Sequence, residues 1–480
     1  MNQKIQPSLL WHDYETWGVN PKKDHPAQFA AIRTDLDLNE IDEPKEFFCY
    51  PPVDYLPDPQ ACLITQITPQ LTQKKGECEH QFIKKVLAEM SHPQTCSVGY
   101  NTIRFDDEVT RYTLYRNLFD PYAREWQNGN SRWDIIDLVR ACYALRPDGI
   151  EWPTKEDGSP SFKLEDLTKA NGLAHEKAHD AVSDVRATIA MARLIKDKQP
   201  KLYDYLFSLR DKRKAAELID INNLTPLVHI SSKIKATQGC CTWICPMAWH
   251  PTNSNAVIVI NLAVDPSPLA DLTVDEMKQK LFTPSSDLSP DEERLPIKLI
   301  HLNKSPVLAT AKSLSPENAQ RLGIDRQACL ANLNYLKQTP QIREKLVQLY
   351  ESISFDDESD ADYALYQGFA SRSDKALMEQ IQAMDIAQLA GFSSNFESEK
   401  YNQLWFRLKA RNYPELLNEA EQLKWQSHCQ ERLMSNSGEY GLSLDSFSSK
   451  LESLAIEYEQ DEQKLAVLKS LFLYTQQIYG

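Results

Sequence analysis

Leu9-Leu10-Trp11-His12-Asp13-Tyr14-Glu15-Thr16 begins as an apolar run and turns abruptly into alternating acidic and aromatic side chains. Read as a strand, it sends successive side chains to opposite faces, so Asp13 and Glu15 project on one side about 7 Å apart. Two carboxylates held on one surface repel and raise each other's pKa, and divalent cations bound through oxygen relieve that repulsion. A bare Asp-x-Glu also fits an ordinary solvated strand edge, so the idea needs further acids.

Two later segments supply them. In Val98-Gly99-Tyr100-Asn101-Thr102-Ile103-Arg104-Phe105-Asp106-Asp107-Glu108 an apolar run ends at Gly-Tyr-Asn. Acids then open a predicted helix containing Val109 and Tyr112, which puts Asp106 or Asp107 near a helix N-terminus; simple capping favoured by the helix dipole is the competing reading. His179-Asp180-Ala181-Val182-Ser183-Asp184 leads into an Ala-rich helical stretch running to Leu194. His179 at the helix entrance and Asp184 about one and a half turns on reach the same volume, with a capping acid beside a surface histidine as the alternative. His175-Glu176-Lys177-Ala178-His179 also satisfies the H-E-x-x-H zinc pattern. That pattern needs one long helix and a third ligand downstream, yet Asn171-Gly172 lies just before it and no Glu occurs between Lys177 and Glu217. Neither a P-loop nor a G-x-S-x-G elbow occurs.

Around these motifs, 480 residues are too many for one hydrophobic core and predict about three domains. Hydrophobic residues at 42% and charged residues at 25% exclude disorder and fibrous repeats. No apolar stretch reaches the length of a membrane span, and the N-terminal residues lack a signal-peptide pattern, so the expected location is the cytoplasm. Ten cysteines, mostly scattered singly, read as free buried thiols; Cys240, Cys241 and Cys245 lack a second pair at zinc spacing. The net charge of −15 divides into −7 over residues 1–200, +2 over 201–355 and −10 over 356–480. A near-neutral middle block leaves room for a basic face, and acids that hold cations do not repel phosphate.

Residues 8–200 alternate short apolar runs (8–11, 47–50, 96–100) with helical patterns at 79–90 and 180–196, which predicts an α/β domain. A charged helix at 211–218 precedes β-rich runs at 227–230, 256–260 and 297–301, and 316–350 turns helical. The acidic run Asp356-Asp357-Glu358-Ser359-Asp360 marks a candidate linker, and the remainder reads as helical, most plainly over 450–478.

Asp13-x-Glu15, Asp106 and His179-x4-Asp184, in that order within one α/β domain, resemble the DnaQ-like exonucleases of the DEDDh class. Within that class the sequence is most similar to the exodeoxyribonuclease I family, through residues 12–16, 26–34, 104–111, 141–147 and 167–172. The similarity continues through Ala248-Trp249-His250-Pro251, residues 255–258 and His301-Leu302-Asn303-Lys304, and so spans nearly the whole chain. It implies a multidomain α/β protein: an RNase H-like (DnaQ-like) exonuclease domain at 8–197, an SH3-like β-rich domain at 200–355 and an all-helical C-terminal domain at 357–478.

The resemblance further implies a processive magnesium-dependent 3′→5′ exonuclease that releases 5′-mononucleotides from single-stranded DNA, in DNA repair and recombination. Asp13, Glu15, Asp106 and Asp184 would hold two Mg2+ ions, with manganese as a substitute, and His179 would be the general base. Glu15, Arg111, Tyr122, Trp126, Arg140, Lys163 and Lys298 are the implied DNA contacts, with packing or an ion pair as the alternative for Arg111, Tyr122, Trp126 and Arg140. Lys163, in Pro160-Ser161-Phe162-Lys163-Leu164, stands where the family pattern has Arg, which reduces a bidentate phosphate contact to a single point. Single-stranded DNA-binding protein is the implied protein partner, through its acidic tail, and a monomer is expected. An RNase T-like RNA trimmer shares the five catalytic residues, and a catalytically silent DNA-binding module shares the fold; the two further domains favour the DNA enzyme.

Overall fold

The computed structural model describes residues 6–173, 181–284, 287, 294–354, 357–393 and 395–479. The chain divides into two compact units, one of residues 1–131, 176–186 and 357–480, the other of 132–175 and 187–356.

In the first unit, β1 (Ser8–Thr16), β2 (Pro26–Thr34), β3 (Lys45–Phe48) and β4 (Thr95–Gly99) lie in the order β3-β2-β1-β4. β2 runs antiparallel to both β1 and β3, whereas β1 and β4 are parallel. The strand β2 is buried along its whole length and therefore shows no polar alternation, so its pattern in the sequence reads as a motif and not as a strand. Helix α1 (Glu79–Met90) places Phe82, Ile83 and Val86 against Leu10, Tyr14 and Phe29 of the sheet. Helix α2 (Asp106–Arg116) contributes Val109 and Leu114 to the same core.

The first unit also contains the C-terminal helices. Leu433, Phe447, Leu451, Leu468 and Leu471 pack with Trp17, Tyr55, Leu56 and Leu63 in one apolar cluster. The helical stretch expected over 450–478 is two helices, Leu444–Glu457 and Glu462–Tyr479, separated at Tyr458–Asp461. The expected linker is also tighter than its acidity suggests: Asp360 is buried against Arg407.

The second unit centres on a five-stranded antiparallel sheet. Following β5 (Ser131–Asp134), its strands are β6 (Leu227–Ile230), β7 (Cys241–Trp249), β8 (Ala256–Asn261), β9 (Ile297–His301) and β10 (Val307–Thr310), in the order β10-β6-β7-β8-β9. Leu227, Ile244, Val257, Ile300 and Leu308 form its core. Strand β7 escapes the sequence reading because Pro246 sits inside it. The ladder accommodates that proline at a register shift between Pro246 and Ala248, where an N–H is dispensable. All ten cysteines are free thiols, and Cys240, Cys241 and Cys245 fall on or beside β7. Among the described residues no helix is long and apolar enough to cross a membrane.

Candidate active site

The parallel pairing of β1 with β4 covers only Ser8–Trp11, so β1 runs on past the end of its neighbour. Asp13 and Glu15 lie on that overhang, on the face opposite His12 and Tyr14. Strand β4 ends at Gly99, where a Cβ would come within 2.6 Å of the His12 carbonyl oxygen and 2.2 Å of Thr102 Cγ2. Only glycine permits this approach, and it lets the chain turn through Thr102–Arg104 into α2 beside β1.

With β4 gone, the Tyr14 N–H needs another acceptor, and it donates to Asp106 Oδ1 at 3.0 Å. Asp106 is the first residue of α2, so one carboxylate satisfies the strand edge and lies where the helix dipole favours an anion. The neighbouring Asp107 takes a different role: it is buried and accepts from Arg124 Nη2 at 2.7 Å. The choice between Asp106 and Asp107 is thus made by which side of α2 faces β1.

Asp184 enters from the first turn of helix α3 (Ala181–Lys198). Carboxylate oxygens of Asp13, Glu15 and Asp184 all lie within 4.8 Å of one another. Burial, then the Asp184 charge, push Asp13 up to about 8. Asp106 is raised well above the ordinary carboxylate range by burial and by Asp13. Asp13 is thus disfavoured in its ionised form by Asp184, and Asp106 by Asp13, and the all-oxygen, hard donor set of the four acids fits a divalent cation such as magnesium or manganese. His179, the implied base, lies outside the described residues, as does the whole H-E-x-x-H stretch.

The implied DNA contacts divide by their surroundings. Trp126 is 65% exposed. Arg111 is buried, with Nε and Nη2 donating to Glu125 and Nη1 donating to Glu108 and to the Tyr366 hydroxyl, and its guanidinium lies 5.4 Å from the Tyr122 ring centre. In the second unit Arg140 donates to Asp137 at 2.7 Å and lies over Phe162, and exposed Lys163 precedes the helix Leu164–Ala170. Lys298 lies on β9 opposite Val259. The sequence marks Gly99 only as the end of an apolar run, and Tyr366 lies in no acidic or basic pattern that would draw attention to it.

A strand-borne Asp-x-Glu joined by acids from two helix starts is the arrangement of a DnaQ-like, carboxylate-dependent exonuclease domain. Residues 10–192 match the family model described as Exonuclease, 210–352 that of the Exonuclease I SH3-like domain, and 359–478 that of the Exonuclease I C-terminal domain. Exodeoxyribonuclease I of Escherichia coli K12 is 48% identical, over 99% of this chain and 99% of the relative. The crystal structure of E. coli exonuclease I with a dA16 oligonucleotide superposes with a TM-score of 0.94 at 48% identity, covering 98% of this chain and 100% of that one. A zinc-bound E. coli ExoI–ssDNA complex gives 0.93 at 48% identity, covering 99% and 100%. An SSB/Exonuclease I structure with the inhibitor CFAM gives 0.91 at 46% identity, covering 98% and 100%. The chain belongs to the exodeoxyribonuclease I family.

Proposed function

We propose that this chain is a processive 3′→5′ exonuclease that hydrolyses single-stranded DNA to 5′-mononucleotides, a cytoplasmic monomer acting in DNA repair and recombination. The observation that carries the reading is the convergence of Asp13, Glu15 and Asp184 within 4.8 Å, with Asp106 tied to the same strand through the Tyr14 N–H. The full-length similarity to exodeoxyribonuclease I supports the substrate.

Asp13, Glu15, Asp106 and Asp184 would hold two divalent ions, magnesium in the cell. When bound, such ions lower the pKa of an attacking water and stabilise the departing 3′ oxygen. The Tyr14 N–H orients Asp106, and β1 fixes Asp13 and Glu15 by its pairing with β2. His179 takes the proton of the attacking water, and Glu15 also contacts the terminal nucleotide. Lys163, Arg140 and Lys298 neutralise phosphates, while Tyr122 and Trp126 offer aromatic faces to bases. With its donors engaged by Glu125, Glu108 and Tyr366, Arg111 acts chiefly by holding the Tyr122 ring.

For the SSB partner, the second unit has a pocket of about 520 Å³ with Leu145, Leu202 and Leu206 in its wall and Arg146 and Lys201 among its basic groups. Its basic groups suit an acidic tail.

The test is digestion of 5′-labelled single-stranded DNA, blunt duplex and RNA of one sequence, each with magnesium or chelator. Shortening from the 3′ end of single-stranded DNA only, and only with magnesium, is expected. Equal or faster loss of RNA would favour an RNA trimmer, and binding without cleavage would leave a DNA-binding module.

A further inference from the structure

The first three residues of α2 are all acids, Asp106, Asp107 and Glu108, and each faces a different way. Asp106 accepts from the Tyr14 N–H of β1, whereas Glu108 turns to Arg111 of its own helix and to the Tyr366 hydroxyl. Asp107 meets Arg124, whose side chain is fully buried. No side chain caps the helix start: the residue before it, Phe105, has φ −125° and ψ −72° and makes no cap hydrogen bond.

Packing alone does not account for Arg124. Its Nη2 donates to Asp107 at 2.7 Å, but Nε and Nη1 are buried and make no hydrogen bond among the described residues. Burying such a pair costs desolvation, and apolar side chains of similar volume would fill the space without that cost. What the pair supplies is attachment. Arg124 and Glu125 stand side by side in the single turn Ala123–Glu125 and address two residues of α2. Arg124 donates to Asp107, and Glu125 accepts from Arg111 Nε at 2.7 Å and Nη2 at 2.9 Å. Residues 107 and 111 share one face of the helix, so two ion pairs of opposite polarity fasten that face to one segment. The Arg124 charge also acts on His12 and Tyr14, the β1 residues that alternate with Asp13 and Glu15, so the clamp lies beside the strand that carries the acids.

We propose that Arg124 is a positioning residue of the metal site: through Asp107 it sets the rotation of α2 that points Asp106 at β1. The inference rests on the metal-dependent reading of the four acids and extends it to a group outside them. Successive residues of an α-helix lie about 100° apart around its axis, so fixing Asp107 fixes the direction of Asp106 as well. The Tyr14 N–H gives Asp106 one point of attachment to β1, and Arg124 gives the same turn a second. The guanidinium has an electrostatic effect in the same sense. Asp107 is among the charges that disfavour ionised Asp106, after burial and Asp13, and Arg124 opposes it.

The experiment titrates Mn2+ into the full-length protein without DNA, by calorimetry, alongside steady-state degradation of single-stranded DNA and strand binding in chelator. Arg124→Met is expected to weaken Mn2+ binding by ~10- to 100-fold and to lower kcat by a similar factor, as the loss of a group that orients metal ligands does. KM for single-stranded DNA and strand affinity in chelator are expected to stay within about twofold of wild type. Arg124→Lys, which keeps the cation and one point of contact, is expected to recover part of the loss. If the Asp107 charge left buried in Arg124→Met prevents folding, the double variant Asp107→Asn/Arg124→Met decides. Removing both charges together is close to neutral for stability, yet Mn2+ binding is still expected to be ~10-fold weaker or more. A folded Arg124→Met or double variant that binds Mn2+ within about twofold of wild type overturns the positioning role, as does strand binding in chelator that falls as far as Mn2+ binding. An Arg124→Lys variant that binds Mn2+ no better than a folded Arg124→Met also overturns it. A wild-type protein that binds no Mn2+ and degrades no single-stranded DNA overturns the proposed function and the role of Arg124 with it.

Discussion

Two groups of buried aspartates in the first unit have opposite neighbours. At the end of β1, Asp13 and Asp106 are packed with other acids, and both are pushed above the usual carboxylate range. Elsewhere Asp54 and Asp362 are buried among guanidinium groups. Arg411 donates to Asp54 at 2.7 Å and also bonds Asp362, while Arg432 reaches Asp362 at 2.7 Å and Asp54 at 3.3 Å. Burial alone would raise these two acids, but the arginines outweigh it and hold both well below the ordinary range. The same residue type at similar depth is a structural clamp where the opposing charge comes from the chain, and becomes the proposed metal site where other acids crowd it instead.

The largest separation between the two groups is expected from Asp→Asn and Asp→Ala exchanges. Asp13→Asn should reduce hydrolysis of single-stranded DNA by ~10³-fold or more, since the ion it is proposed to hold would contribute several kcal/mol to the transition state. Its melting temperature in chelator should be no lower than wild type, because a repelling charge is removed. Asp362→Ala should do the reverse to stability. Leaving Arg407, Arg411 and Arg432, which all pair with Asp362, short of a partner should cost about 3–5 kcal/mol in urea unfolding. A destabilised Asp13→Asn or an unaffected Asp362→Ala would erase the distinction.

Added cation sharpens the contrast next. Magnesium at 100 times its dissociation constant should stabilise wild type by about 2.7 kcal/mol, read as a rise in melting temperature, and should do so far less in Asp13→Asn. Acid should act on the other group. The folded-state pKa values of Asp54 and Asp362 lie below the unfolded value of about 3.9, so their stabilisation is complete above that pH and is lost as pH falls through the folded values. Wild type should therefore lose stability progressively from about pH 5 downward. Asp362→Asn, already weaker, should show a shallower slope on the same titration.

A smaller effect is expected at Gly99, where the added methyl of Gly99→Ala meets the His12 carbonyl and Thr102. Overpacking there should cost about 1–3 kcal/mol and also lower turnover, because it pushes β4 and the start of α2 away from Asp13. The smallest stability effect belongs to exposed Trp126: Trp126→Ala should stay within about 0.5 kcal/mol of wild type while weakening single-stranded DNA binding.

How much of this was legible beforehand depends on whether the signal was local. Alternation along Leu9–Thr16 placed Asp13 and Glu15 on one face because strand geometry has a period of two residues, and no tertiary contact is needed for that. The acids opening α2 and the Ala-rich run after Ser183 marked helix starts by the same local rules. The buried strand β2 and proline-containing β7 were not readable as strands, because burial on both faces removes alternation and a tolerated proline mimics a break.

The sequence by itself determined the chemical character of the site: four carboxylates, their order and the elements that carry them. Tertiary structure alone decided which acids meet acids and which meet arginines. Asp106 faces β1 while Asp107 turns to Arg124, a difference of one residue around a helix. Asp54 finds Arg411 and Arg432 more than 350 positions away, and Asp360, in what reads as a solvated linker, is buried on Arg407. A carboxylate's charge is written in its residue type, but its pKa and therefore its role are set by the charges and solvent around it, and long-range folding brings those together.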